Sequence, residues 1–195
     1  MQTYSHFLVT ALAADGLKQS EVAVRSKAVL WGSVLPDIPL GLLSLGYLAY
    51  YRWVAPLPDG VSMMAHFDTL YFTNPVWKAG HNFFHAPLII LAMVALGVYA
   101  GRRGKGWGPT LLWFALGCGL HSFFDIFTHH SDGPLLLFPL NWEWRFMSPV
   151  SYWDADYYGN IFAPLEHLLD LGILIYLGRN WLLKRRAIKS APSLL

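Results

Sequence analysis

Apolar residues in this chain come in long blocks, and proline, glycine and clustered charge mark the breaks between them. Residues Thr3 to Ala14 read as a short helix. Ser20 to Leu35 reads as a second, opening on Ser-Glu and turning apolar from Ala28. Pro36 and Pro39 bracket Asp37; proline lacks a donor and disfavours helix in the residue before it, so residues 35–39 predict a kink or turn. An apolar helix over residues 40–54 follows and is ended by Pro56, Pro58, Asp59 and Gly60, after which the chain to Gly80 reads as a mixed loop. From Phe83 to Ala100 the chain is uncharged apart from His85, which gives about 27 Å of helix at 1.5 Å per residue, just enough to cross a hydrocarbon core. The glycine-rich turn that carries Arg102, Arg103 and Lys105 returns it, and Trp107 to Phe127 forms the next apolar helix, ending in a polar cluster over residues 128–133. Residues 134–159 form an aromatic loop whose Trp142, Trp144, Tyr152, Trp153, Tyr157 and Tyr158 suit a membrane interface. The last helix runs from Pro164 to about Leu183 and ends in Lys184, Arg185 and Arg186, with a frayed tail behind it.

The pattern predicts an all-α fold: a polytopic membrane helical bundle of about four to six helices with an aromatic-rich extramembrane loop, forming one domain over residues 1–195. The arms on either side of Asp37 are a broken span or a re-entrant pair, and the pattern leaves both open. Composition agrees with a membrane setting, since the chain is 55% hydrophobic and only 13% charged, well below the quarter or so of charge in soluble domains. A net charge of +2 is too small for a nucleic-acid partner. The basic clusters at residues 102–105 and at Arg179, Lys184, Arg185, Arg186 and Lys189 predict that these ends, with the C-terminus, are cytoplasmic and the opposite helix ends face outward. The apolar start that ends in Ala11-Leu12-Ala13 imitates a signal-peptidase site, but it is short and has no basic residue before it, so it reads as uncleaved. Cys118, the single cysteine, reads as a small buried apolar residue.

The unusual polar residues gather at the outward ends. His81-Asn-Phe-Phe-His85 puts two imidazoles one helical turn apart, the spacing that lets both reach a single metal. His121, Asp125 and His129 add imidazole, carboxylate and imidazole at i, i+4 and i+8 along one stripe of an otherwise apolar helix. Each alone also reads as a polar residue packing two helices together, but ionisable groups within an apolar helix are costly and are functional by default. Neutral histidine with carboxylate suits zinc first, then iron or manganese, whereas magnesium and calcium call for more oxygen. Asp37 is a turn-former or a ligand on a rigid backbone. His6 is an interfacial histidine or a ligand brought in by a neighbouring helix. Glu166 is a favourable first-turn carboxylate, a general base or a ligand. His130, His167 and Asp170 are weaker candidates, and His66 and Asp68 read as solvated loop residues.

With Leu-Pro-Asp37-Ile, His81-x3-His85 and His121-x3-Asp125-x2-Thr128 in this order, residues 6–130 resemble the membrane-bound metal-dependent hydrolases, the inner-membrane group also called LexA-binding or YdjM-like. That family is itself similar to zinc-dependent phospholipase C. Two positions depart from its pattern: Pro39 stands where a second acid is common, and Asn82 where an arginine often follows the first histidine of the pair. The resemblance implies one or more zinc ions held by His6, Asp37, His81, His85, His121, Asp125 and His129, with Asp125 and Glu166 serving the reaction. A bound water, acidified toward neutral pH, would attack a phosphoester or other ester. Membrane lipids are the expected partners, and a lipid is the expected substrate because the site sits among interfacial Trp and Tyr. Two further readings stay open: a di-iron oxidase or desaturase with histidine boxes, and a non-catalytic membrane protein with a structural metal or polar cluster.

Overall fold

The computed structural model describes residues 1–190; the frayed tail expected from the sequence falls partly outside them. Among the described residues the fold is all-α, and extended pairing is confined to a single antiparallel bridge between Leu135 and Arg145. The helices are α1 (Thr3–Gln19), α2 (Ser26–Gly32), α3 (Asp37–Ala49, continued by a π-helical turn over Tyr50–Val54), α4 (Met63–Thr73), α5 (Pro75–Asn82), α6 (Pro87–Arg102), α7 (Gly108–Thr128) and α8 (Gly159–Ser190). Two of them, α7 and α8 up to Arg186, are long and apolar enough to cross a membrane. Two bent pairs, α2 with α3 and α5 with α6, meet the same test together and turn by 45° and 47° at their breaks.

Proline placement explains both breaks. Pro36 precedes the first residue of α3, and Pro87 opens α6, where a missing N–H costs nothing because that group has no helical partner. The mixed loop expected over residues 56–80 is instead mostly helical. Ser62 accepts a hydrogen bond from the Ala65 amide at 3.3 Å, and Asn74 accepts from Val76 at 2.9 Å with Pro75 behind it, so two well-capped helices form without a long apolar period. The second expected helix is shorter than Ser20–Leu35, while α1 runs five residues past Ala14. α8 starts five residues before Pro164 and carries that proline inside it.

Small residues set the helix contacts. A Cβ on Gly32 would collide with the Phe114 carbonyl and lie 3.0 Å from the Cys118 amide, and one on Gly117 would collide with the Val29 carbonyl. α2 and α7 therefore touch backbone to backbone and run parallel, with Val29 beside Gly117 and Ser33 beside His121. A Cβ on Gly97 would lie 2.8 Å from the Leu112 amide, so the α6–α7 hairpin closes equally tightly. α1 and α8 are also parallel: Gln2 and Ser5 meet Glu166 and Asp170, and Asp15 meets Asn180 and Lys184.

This pairing sorts the charges. The end of α1, the start of α2, the α6–α7 turn and the end of α8 share one end of the bundle, and with it Lys18, Arg25, Lys27, Arg102, Arg103, Lys105, Lys184, Arg185 and Arg186.

The α2–α7 contact makes a directional prediction. Gly117→Ala should lower stability in detergent by about 1–3 kcal/mol through overpacking. Gly172→Ala, at a position with nothing within 4 Å, should raise it by up to about 1 kcal/mol through helix propensity. Chemical unfolding followed by tryptophan fluorescence reads both, and equal shifts would contradict the close approach.

Candidate metal centre

Four side chains, from two breaks in the bundle and one continuous helix, converge. Asp37 begins α3, His85 lies in the α5–α6 break, and His121 and Asp125 sit one turn apart on α7; each offers a donor atom, and the four atoms lie within 4.8 Å of one another. His85 Nε2 is 3.0 Å from His121 Nε2, 3.5 Å from Asp37 Oδ1 and 3.4 Å from Asp125 Oδ2. His121 Nε2 is 3.4 Å from Asp37 Oδ1 and 3.0 Å from Asp125 Oδ2. A tetrahedron with metal–donor bonds of about 2.0–2.1 Å has edges of about 3.3 Å, so these separations have the dimensions of a zinc site.

The surroundings fix which nitrogen faces inward. His85 Nδ1 lies 2.5 Å from the His81 carbonyl and His121 Nδ1 lies 2.8 Å from the Ser33 carbonyl. A carbonyl only accepts, so both Nδ1 atoms carry a proton, and each ring turns Nε2 toward the centre, the atom that would ligate a metal. Backbone carbonyls holding Nδ1 in this way are the usual support of histidine ligands. Ser122 Oγ in turn donates to the His85 carbonyl at 2.5 Å, and Thr3 Oγ1 to Asp37 Oδ2 at 2.5 Å. His85, His121 and Asp125 are buried, while the Asp37 side chain is 29% exposed, so the centre has one open side.

Asp125 faces two ways. Its Oδ2 belongs to the group above, and its Oδ1 meets His6 Nε2 at 2.9 Å, His129 Nε2 at 3.5 Å and the Met1 amine at 3.2 Å. His6 stacks on His121 with ring centroids 3.7 Å apart. His129 also approaches Asp132 through Nδ1 at 3.2 Å and has the Tyr152 ring 4.9 Å away. Burial opposes ionisation of Asp132, but His129 and the Trp153 indole hold its carboxyl below the usual range. Burial, and then the carboxylates of Asp132, Asp125, Asp37 and Glu166, push the Tyr152 phenol upward.

The remaining expected residues separate. His81 stands outside the four-donor group: the Tyr71 hydroxyl, which gives its proton to the Asp132 carbonyl at 2.5 Å, accepts from His81 Nδ1 at 2.8 Å. Its ring is 4.7 Å from that of His85, beside the centre. Glu166 takes the Gln2 amide at the start of α1 on one carboxylate oxygen, at 2.7 Å, and keeps the other buried with no hydrogen-bond partner among the described residues. Asp170 holds Ser5 at 2.7 Å, His130 bonds the Ser148 carbonyl at 2.6 Å and stacks on Tyr157, and His167 is largely exposed beside Tyr4. His66 lies on α4 against Tyr47 rather than in a solvated loop, and Asp68 is exposed. Thr3, Ser33, Tyr71, Asp132 and Tyr152 were not expected at the site. Asp132, three residues past His129, carries the one local spacing that signals it.

No curated protein and no solved structure matches the chain. The model of one family, described as YdjM inner membrane protein, matches residues 1–190, nearly the whole length. The chain therefore belongs to the YdjM inner membrane protein family.

Proposed function

We propose that this protein is a membrane-bound metal-dependent hydrolase whose centre holds zinc and cleaves a phosphoester or other ester. The observation that carries this reading is the set of Asp37, His85, His121 and Asp125 donor atoms, spaced like a zinc tetrahedron and open on the Asp37 side. A closed structural site would bury all four ligands. Because Asp125 gives one oxygen to that set and the other to His6 and His129, its second oxygen could serve a further metal held with those histidines.

Zinc bound there supplies Lewis acidity that brings a coordinated water toward neutral pKa. The chain's own residues do the rest. His85 and His121 are held in the ligating tautomer by backbone carbonyls, and Thr3 orients Asp37. Glu166 is assigned as the proton acceptor, since one of its oxygens is buried with no hydrogen-bond partner among the described residues. Hydrolysis adds water across the ester bond, with the oxygen going to the phosphorus or acyl carbon and a proton to the leaving alcohol. Exposed Trp144, Trp153 and Tyr158 on the loop before α8 suit a lipid interface and favour a lipid substrate. With the basic end of the bundle in the cytoplasm, the centre opens on the opposite face. That side is the reverse of the cytoplasmic histidine boxes expected for the di-iron oxidase.

Elemental analysis of detergent-purified protein tests the reading. One or two zinc ions per chain are expected, lost in His121→Ala and Asp125→Ala and retained in His130→Ala. Iron in place of zinc, or no metal in protein purified without chelator, would overturn it. Thr3→Val, which removes only the support of Asp37, should weaken zinc binding about 10- to 100-fold in a chelator competition. A reporter fused after Leu195 should be active on the cytoplasmic side; an external signal would reverse the orientation.

A further inference from the structure

Arg145 stands apart from the other cations of the bundle. It lies in the aromatic loop, fixed by the bridge to Leu135 and by the hydrogen bond from the Leu136 amide to the Trp144 carbonyl at 3.1 Å. One N–H of its guanidinium donates to the Gly133 carbonyl, and its Cζ lies 5.6 Å from the centroids of both the Tyr71 and Phe72 rings. It is half-buried, yet among the described residues no carboxylate comes within ion-pair distance of it. Lys78, a cation in the same region, is neutralised by Glu143 at 3.2 Å. Asp132, the acid beside Gly133, is already taken by His129 and the Trp153 indole.

A guanidinium has five donors; one goes to the Gly133 carbonyl and the Tyr71 hydroxyl takes another, which leaves most of the fork for a ligand. Removing that charge partly from water without an acid to balance it is unfavourable unless an anion completes the arrangement. Its neighbours put it beside the metal centre. A Cβ on Gly133 would lie 3.3 Å from the His129 Cβ and 3.6 Å from the Asp125 carbonyl, and the Tyr71 hydroxyl beneath the guanidinium is bonded to His81. The planar fork of arginine matches two oxygens of a phosphate group, and the flanking aromatic rings limit its movement.

We propose that Arg145 is a substrate-binding residue that grips the anionic part of the substrate, so that the hydrolase takes a negatively charged phosphoester in preference to a neutral carboxylic ester. This rests on the metal-dependent hydrolase reading and narrows its substrate class.

The test measures binding of inorganic phosphate, and separately of dihexanoyl phosphatidylglycerol below its micellar concentration, to full-length protein by titration calorimetry, with zinc content determined on the same samples. Arg145→Gln should weaken binding of both probes by about 10-fold or more, the range for hydrogen bonds to charged groups, while zinc content stays at the wild-type value. Arg145→Lys, which keeps the charge and loses the fork, should fall between. If Arg145→Gln does not fold, Arg145→Lys alone decides, and wild-type affinity in that variant overturns the proposal. Unchanged phosphate binding in zinc-replete Arg145→Gln also overturns it and leaves the hydrolase reading intact. Absence of zinc from the wild type overturns the hydrolase reading instead. Tighter binding of the lipid than of phosphate would support a lipid phosphoester, and equal binding a soluble one. Hydrolysis of p-nitrophenyl phosphate and p-nitrophenyl acetate gives a readout that a merely structural role would not move: Arg145→Gln should raise KM for the phosphate alone, and an equal loss on both would count against anion recognition.

Discussion

Two imidazole nitrogens 3.0 Å apart, each with its proton committed to a backbone carbonyl on the far side of its ring, set the terms for the rest of this bundle. When both rings are neutral their Nε2 lone pairs face one another, and the adjacent oxygens of Asp37 and Asp125 add negative charge in a place largely shielded from water. In a low-dielectric interior such a group is unfavourable without a cation. The same geometry that would cost most without a cation has the edge lengths that a tetrahedral one requires. The backbone is organised to hold it: the break before Pro87 places His85 off the end of a helix, and the parallel α2–α7 contact brings the Ser33 carbonyl to His121.

That second arrangement depends on glycine. Gly32 and Gly117 allow α2 and α7 to approach until backbone meets backbone, and only at that separation does the last turn of α2 reach the ring of His121. The helix that carries two of the four donors is thus positioned by residues with no chemistry of their own. In a lipid environment, where apolar side chains gain little by leaving lipid for one another, such close packing is a main source of helix association. Fold and site therefore share one interface, and a side chain inserted at Gly117 would disturb both.

Much of this was legible in the sequence because it lay in local spacing. The apolar blocks, the proline breaks, the basic turn at residues 102–105 and the α7 stripe of His121 and Asp125 are all periodic or compositional signals, and each corresponds to an element present in the bundle. α4 and α5 escaped because they are short, 11 and 8 residues, and are started by capping at Ser62 and Asn74 rather than carried by a long apolar run. His81 and His85 look equivalent at i and i+4, yet the chain leaves its regular helix after Asn82, so one ring turns into the centre and the other to Tyr71. No local pattern announces that pairing. Tyr71, Ser33 and Tyr152 act across 10, 88 and 23 residues on His81, His121 and His129, and contacts at such distances are set by tertiary packing.

Charge distribution links the centre to its surroundings. Cations crowd one end of the bundle and histidines with carboxylates occupy the other, so the field across the molecule favours cations at the centre and disfavours a free anion approaching it. On the proposed reading a metal would reverse that balance locally, because two divalent ions would carry more positive charge than Asp37 and Asp125 carry negative. An uncompensated arginine in the loop beside the centre then acts in the same direction as the metal rather than against it. Arg145 and the donor set are joined through Tyr71, His81 and Gly133, so whatever fixes the aromatic loop also fixes the position of the guanidinium relative to that set. On the proposed reading a substrate that spans both would need negatively charged oxygens, which a phosphoester has and a neutral carboxylic ester lacks.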